Sequence, residues 1–315
     1  MILVTGATGY VGRHVVCALS DAGRPVRALL RSETRKTVLI SHDAEIVYGD
    51  VLEPSSLRRA CENVDTVIHL VAAVREKSGT TFHELNYKGT RNILDAASST
   101  DVKRFVQASA IGAGPEATLP YFNSRWMAER EVKRSGLMHT IVRFSIGFGE
   151  GDEFFNLLAA QVKLSPLVPI ICDGRTRLQP ISVVDMARCL IEASDHDALA
   201  GQTIEAAGPE VLTYEEAVDL IAETLGVRIS KVHIPMRLMK PIATVMNTLM
   251  SKPPVTPEQL KMLDVDNTTV LDSVQSAFGF KPRSIRKSLS YITKISLMDA
   301  LKINMGFMPE CVRDH

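Results

Sequence analysis

Gly6, Gly9 and Gly12 recur at three-residue spacing after the apolar, β-branched run Ile2–Val4 and before a segment of helical period. That order reads as strand, tight turn and helix. The turn needs torsions that a Cβ would forbid and a close approach to a diphosphate, and the helix N-terminus behind it offers free N–H groups and partial positive charge. Thr5, Thr8, Tyr10, Val11 and Arg13 share this stretch and are candidate dinucleotide contacts with the three glycines. Tyr121 and Arg125 form a second pair one helical turn apart on a common face. A phenol near pKa 10 does proton chemistry at neutral pH only beside positive charge, which the arginine keeps.

The elements that must position these groups alternate short β-rich runs with amphipathic helices, which argues for parallel β-α units. Val11, Val15, Leu19 and Ala22 continue the first helix until Gly23 and Pro25 stop it. Strands are expected at Val26–Leu30, Ala44–Tyr48, Asp65–Leu70, Arg104–Ser109 and His139–Phe144. A long helix is expected between Thr80 and Ser99, with Phe82, Leu85, Gly89, Ile93 and Ala97 on one face.

The residue ending the second strand selects the cofactor. An acidic side chain there would bind the ribose hydroxyls of NAD, but the chain has Arg31, with Arg13 and Arg35 in reach of a 2′-phosphate. NADP(H) is therefore favoured over NAD(H); the alternative is solvated surface charge, and Glu33 lies nearby.

The pattern Thr5-Gly6-x-x-Gly9-x-x-Gly12, with Asn86-Tyr87-Lys88-Gly89-Thr90, Tyr121-x-x-x-Arg125 and the segment Arg143–Asp152, resembles the short-chain dehydrogenase/reductase superfamily, extended or atypical branch. The whole is most similar to the group holding the NADPH-binding accessory subunit of respiratory complex I and its free-standing bacterial relatives. The resemblance implies an α/β fold, a doubly wound parallel (Rossmann) sheet with a smaller C-terminal substrate lobe over the nicotinamide end. It implies that Asp50 and Val51 flank the adenine and that Val71, Ala72 and Ala73 line the cofactor crevice. Tyr121 becomes the proton donor and Arg125 the accompanying charge, standing where the family carries lysine. Either Ser109 or Ala110 falls at the position of the carbonyl-orienting hydroxyl, and only Ser109 could act. Asn86 is either structural or catalytic.

The expected division is a Rossmann domain over residues 1–145, with elements returning near 178–207, and a lobe over 146–315 interleaved with it. Leu178–Val183 reads as a returning strand and Val184-Asp185-Met186-Ala187 as the helix start after it. Thr213–Leu225 reads as an amphipathic helix with a Thr cap, an acidic first turn and a Gly226 stop.

Two functions fit this reading: hydride transfer to a small carbonyl or quinone-like substrate, or a non-catalytic NADP(H)-binding assembly factor or redox sensor. A sugar-nucleotide substrate is disfavoured by the short interval from Ser109 to Tyr121. The 36 basic and 36 acidic residues cancel, so no global field favours nucleic acid. With a strand starting at residue 2 and no apolar run of spanning length, a cytoplasmic protein is expected. Cys17, Cys61, Cys172, Cys189 and Cys311 are scattered, which fits reduced core residues and no metal site. Met236, Met239, Met246, Met250 and Met262, broken by Pro235, Pro241, Pro253 and Pro254, are either core filling or the wall of an apolar pocket. Lys281–Lys294 carries five basic residues and no acidic one, and Leu297, Met298, Leu301 and Met305 follow before Met308. This end is either a basic amphipathic contact for a membrane surface or partner, or a solvated face packed on the lobe.

Overall fold

The computed structural model describes residues 1–33, 39, 43–76, 79–249, 253 and 255–307. Arg35, Met250, Pro254, Met308 and Cys311 lie outside them. The chain divides into two compact units, the first comprising Met1–Phe144, Val183–Ala206 and Asp272–Lys281, the second Ser145–Ser182, Ala207–Leu271 and Pro282–His315.

The first unit is built on strands β1 (Ile2–Thr5), β2 (Val26–Leu30), β3 (Ala44–Tyr48), β4 (Thr66–His69), β5 (Arg104–Ala110) and β6 (Met138–Phe144). A seventh strand, Thr203–Ala206, pairs with β6. The order is Thr203–Ala206, β6, β5, β4, β1, β2, β3, and every pairing is parallel. Strand order therefore reverses beside β1, whose last residue, Thr5, is in register with Leu29 of β2 and His69 of β4. This is the switch point at which an open α/β sheet leaves a crevice. The strands are apolar runs because both faces are covered. On one face Leu3, Val67, Phe105 and Ile141 pack with Leu57, Ile93 and Ala97 of helices α2 (Pro54–Cys61) and α3 (Gly89–Ser98). Helix α1 (Tyr10–Asp21) packs with helix Val183–Asp195, and Arg24, just beyond α1, makes a bidentate ion pair with Asp195 at 2.6 and 2.7 Å.

Three expectations change. The segment expected as one helix from Thr80 to Ser99 begins as a π-helical turn over His83–Lys88 before α3 takes over. Residues Leu178–Val183 do not form the strand that returns to the sheet. Pro180 interrupts them, since it has no N–H to give a ladder, and two short strands of the second unit result. Arg177–Leu178 pairs antiparallel with Leu212–Thr213, and Ile181–Ser182 parallel with Gly147–Phe148. The returning strand is Thr203–Ala206. Finally, Asp272–Lys281 belongs with the first unit, where Val274 is buried and Arg188 stacks on the Phe280 ring at 4.0 Å.

The second unit has its own core of Phe148, Phe155, Ala159, Ile221, Ile292 and Ile303. Helix Tyr214–Leu225 opens with the expected cap: Thr213 accepts from the Glu216 backbone N–H, Glu216 bonds back, and Gly226 ends the helix at φ +67°. Asp152 is buried at the start of helix Phe154–Leu164, accepting from the Phe155 N–H at 2.6 Å and from the Tyr291 hydroxyl at 2.5 Å. Burial pushes its carboxyl up to about 7 against the pull of those donors. Met236, Met239, Met246 and Met262 are half-buried rather than fully enclosed, and Met236 lines an open cavity with Cys172, Arg175 and His233.

Candidate functional site: the crevice at the strand switch point

The glycine turn is forced by contact. Gly6 stands at φ +71°, and a Cβ there would meet the Leu70 and Val71 backbone at 3.2 Å. At Gly12 a Cβ would fall 2.1 Å from the Gly6 carbonyl oxygen, so only glycine lets α1 pack this tightly behind the turn. Gly9 precedes α1, and its N–H donates to the Gly6 oxygen at 2.9 Å. The N-terminus of α1 has no side-chain cap and no acidic residue in its first turn. That leaves an anion-binding end of the kind a diphosphate requires.

Around this turn the predicted contacts hold different positions. Thr8, Tyr10, Val11 and Arg13 are half-buried along it, and Arg31 is exposed just beyond β2. Thr5 is fully buried, and its hydroxyl is within 2.6 Å of His69 Nδ1. The other ring nitrogen lies 3.1 Å from the Thr90 hydroxyl. Burial, reinforced by the Arg125 charge, lowers the His69 pKa to about 3, so the imidazole is a neutral strut between the ends of β1 and β4 and helix α3. Sequence reading passed over His69; its position inside an apolar strand was the available signal.

Asp50 and Val51 follow β3. The Asp50 carboxylate accepts from the Leu52 N–H at 2.9 Å, and the Val51 carbonyl accepts from Asn92 at 2.8 Å. Gly89 lets the next helix approach Val51, since a Cβ there would lie 3.0 Å from Val51 Cγ2. Asn86 is wholly buried; its side chain bonds the Ala73 backbone at both N–H (2.7 Å) and C=O (3.2 Å), and its amide donates to Ser124 Oγ at 3.0 Å. Asn86 thus braces the loop Val71–Ala73 against helix α4 (Pro120–Arg134). The residues Asn86, Gly89 and Thr90 each have a separate packing task.

Tyr121 lies in the first turn of α4, its ring edge-on to Phe82 at 5.7 Å and Phe122 at 5.2 Å. Burial raises its pKa and the Arg125 charge lowers it; burial wins, so the phenol is held protonated. Arg125 is 3% exposed. One terminal nitrogen donates to the Ala108 carbonyl, while Nε and Nη1 are buried without an acceptor. Two orphaned donors on a buried cation mark a place where a ligand's acceptor atoms fit.

The Ser109 hydroxyl donates to Glu129 Oε1 at 2.6 Å, and Glu129 is itself clamped by Arg143 through Nε at 2.9 Å and Nη2 at 2.7 Å. The one proton of Ser109 is thus directed at that carboxylate. Glu129, 1% exposed, was not singled out from sequence. It stands four residues beyond Arg125 on the same helix face, the spacing that could have found it.

A family model described as NAD(P)H-binding matches residues 6–151. The chain is 26% identical over 290 residues to the 40 kDa subunit of NADH-ubiquinone oxidoreductase of Neurospora crassa, covering 90% of this chain and 76% of that protein. It is 26% identical over 246 residues to a photosystem II assembly factor of Synechocystis, covering 76% and 72%. Among solved structures, the crystal structure of gox2253 superposes with a TM-score of 0.75 at 25% identity, over 92% of this chain and 96% of that one. No helix among the described residues is long and apolar enough to cross a membrane.

Proposed function

We propose, from the match of residues 6–151 to a family model described as NAD(P)H-binding, that the protein is an NADPH-dependent cytoplasmic reductase of the atypical short-chain dehydrogenase/reductase kind. Its substrate class is a small carbonyl or quinone-like acceptor. The observation that carries this reading is Tyr121, buried and held protonated beside the cation of Arg125. A reductase needs an acid at the acceptor oxygen, and a protonated phenol is that acid. Arg125 stabilises the phenolate left behind, so the charge that is too weak to ionise Tyr121 at rest assists once its proton has moved.

The residues present fit the nucleotide. Gly6, Gly9 and Gly12 keep the turn tight against the uncapped N-terminus of α1, which would receive the diphosphate, and Arg125 Nε and Nη1 are donors left for an acceptor of the bound ligand. When bound, the reduced nicotinamide supplies the hydride. Arg31 and Arg13 favour a 2′-phosphate over a bare ribose, which is the basis for preferring NADPH.

The second reading, a non-catalytic NADP(H)-binding assembly factor or redox sensor, is favoured by the fixed bond from Arg125 to the Ala108 carbonyl and by the loss of Ser109 to Glu129. It also agrees with the similarity to a complex I subunit and a photosystem II assembly factor. Label transfer separates the two. With NADPH deuterated at the reactive nicotinamide carbon and a small-molecule extract, loss of deuterium with wild type but not with Tyr121→Phe is expected. Tight binding without label loss in several extracts would establish the binder instead.

A further inference from the structure

The surface of the second unit is unevenly apolar. Sixteen of the twenty-one large apolar side chains exposed among the described residues belong to it. Two helices concentrate them. In helix Met236–Leu249, Ala243 is fully buried and Met236, Met239 and Met246 are half-buried, which defines an inward face at positions i, i+3, i+7 and i+10. Leu238, Ile242 and Val245 form a second strip at i, i+4 and i+7, left 56%, 48% and 56% exposed. At 100° per residue the two strips make a continuous apolar arc of roughly 180°, wider than the ~100° a core-facing helix needs. The unit covers only half of it. Helix Leu297–Asn304 repeats the design: Ala300 and Ile303 are buried, while Leu297, Met298 and Leu301 are 63%, 62% and 47% exposed.

Charge says what these strips meet. The chain is neutral as a whole, yet Thr224–Pro257, which contains the first helix, has five Lys or Arg and no Asp or Glu. Lys281–Lys294, leading to the second helix, again has five and none. Arg237 and Lys240 are exposed on the polar side of the first helix. Lys231 and Lys294 are paired with Glu215 and Asp219 and with Glu150, and the second helix carries Asp299, so the first strip, set in an acid-free segment with Arg237 on its flank, is the one that matches a surface apolar below and anionic above. A protein partner with an ordinary mixed surface would give no reason to remove acidic residues from both segments.

We propose that the second unit docks on an anionic lipid bilayer surface, with Leu238, Ile242 and Val245 immersed at the headgroup–acyl boundary and Arg237, on the flank of that strip, reaching the headgroups. The contact is peripheral, since the helix has only 14 residues and carries charge.

The test is co-sedimentation of the full chain with vesicles of phosphatidylcholine alone and with about a third phosphatidylglycerol. The proposal expects pelleting with the anionic vesicles, weakened by added salt, and at least about a tenfold loss of partitioning in Ile242→Glu/Val245→Glu. Both positions are exposed, so thermal melting and NADPH affinity should match wild type, which keeps this outcome separate from the fate of the reductase reading. The pair Met298→Glu/Leu301→Glu checks the second strip. Equal pelleting with neutral vesicles, no pelleting, or pelleting unchanged in Ile242→Glu/Val245→Glu would overturn the proposal. So would a concentration-dependent dimer that those substitutions dissociate, which would make the strip a contact between copies.

Discussion

The Ser109 hydroxyl lies 2.6 Å from Glu129 Oε1, and Arg143 grips the same carboxylate from β6. This serine at the end of a central strand ties β5 to helix α4. Ser109→Ala removes one hydrogen bond to a charged acceptor that Arg143 continues to hold. We expect a loss of about 1–2 kcal/mol in urea unfolding with kcat nearly unchanged; a loss of turnover beyond about a hundredfold would return Ser109 to the catalytic set.

Tyr121→Phe removes only the phenol oxygen from a ring packed between Phe82 and Phe122. Turnover should fall by about 10²–10⁴ while NADPH affinity stays within a factor of about two of wild type. Isothermal titration and the deuterium-transfer rate measure the two separately. Parallel loss of binding and turnover would mean that the hydroxyl holds the nucleotide.

Gly12→Ala places a Cβ 2.1 Å from the Gly6 oxygen, backbone against backbone, where no side chain can move aside. Either α1 shifts or the turn opens. A destabilisation of about 2–3 kcal/mol is expected from overpacking, with loss of the thermal stabilisation that NADPH confers on wild type.

Arg31→Ala tests cofactor choice. If the guanidinium meets a 2′-phosphate, NADPH affinity falls by about tenfold and NADH affinity is unmoved. Equal losses for both nucleotides would show that Arg31 does not read the phosphate.

Asp152 predicts a pH dependence. Its folded pKa is raised to about 7 from 3.8, so between those values the folded chain keeps a proton that the unfolded chain releases. Stability from this group is complete below 3.8 and is lost as pH rises toward 7. In Asp152→Asn that decline is absent. The difference in unfolding free energy between wild type and variant should therefore shift against wild type by about 2–4 kcal/mol across this window. A difference independent of pH would show that the donors from Tyr291 and the Phe155 backbone hold the carboxylate ionised.

By itself the sequence determined what depends on neighbours along the chain. The glycine spacing after Ile2–Val4 specified strand, turn and helix because torsion and close approach are local demands. The strand boundaries from β1 to β6 followed from short β-rich runs, and the Thr213 cap with its Gly226 stop from residues within one helix. Tertiary structure decided whatever required a partner distant in sequence. Ser109 became a tie because Glu129 lies across from it. Asn86 became a brace because Ala73 and Ser124 converge on its amide. His69 was held neutral by burial between Thr5 and Thr90, and Thr203–Ala206 became the seventh strand because β6 was the edge left open. A side chain's type sets which bonds it can make; the packed fold alone decides which of them are already used.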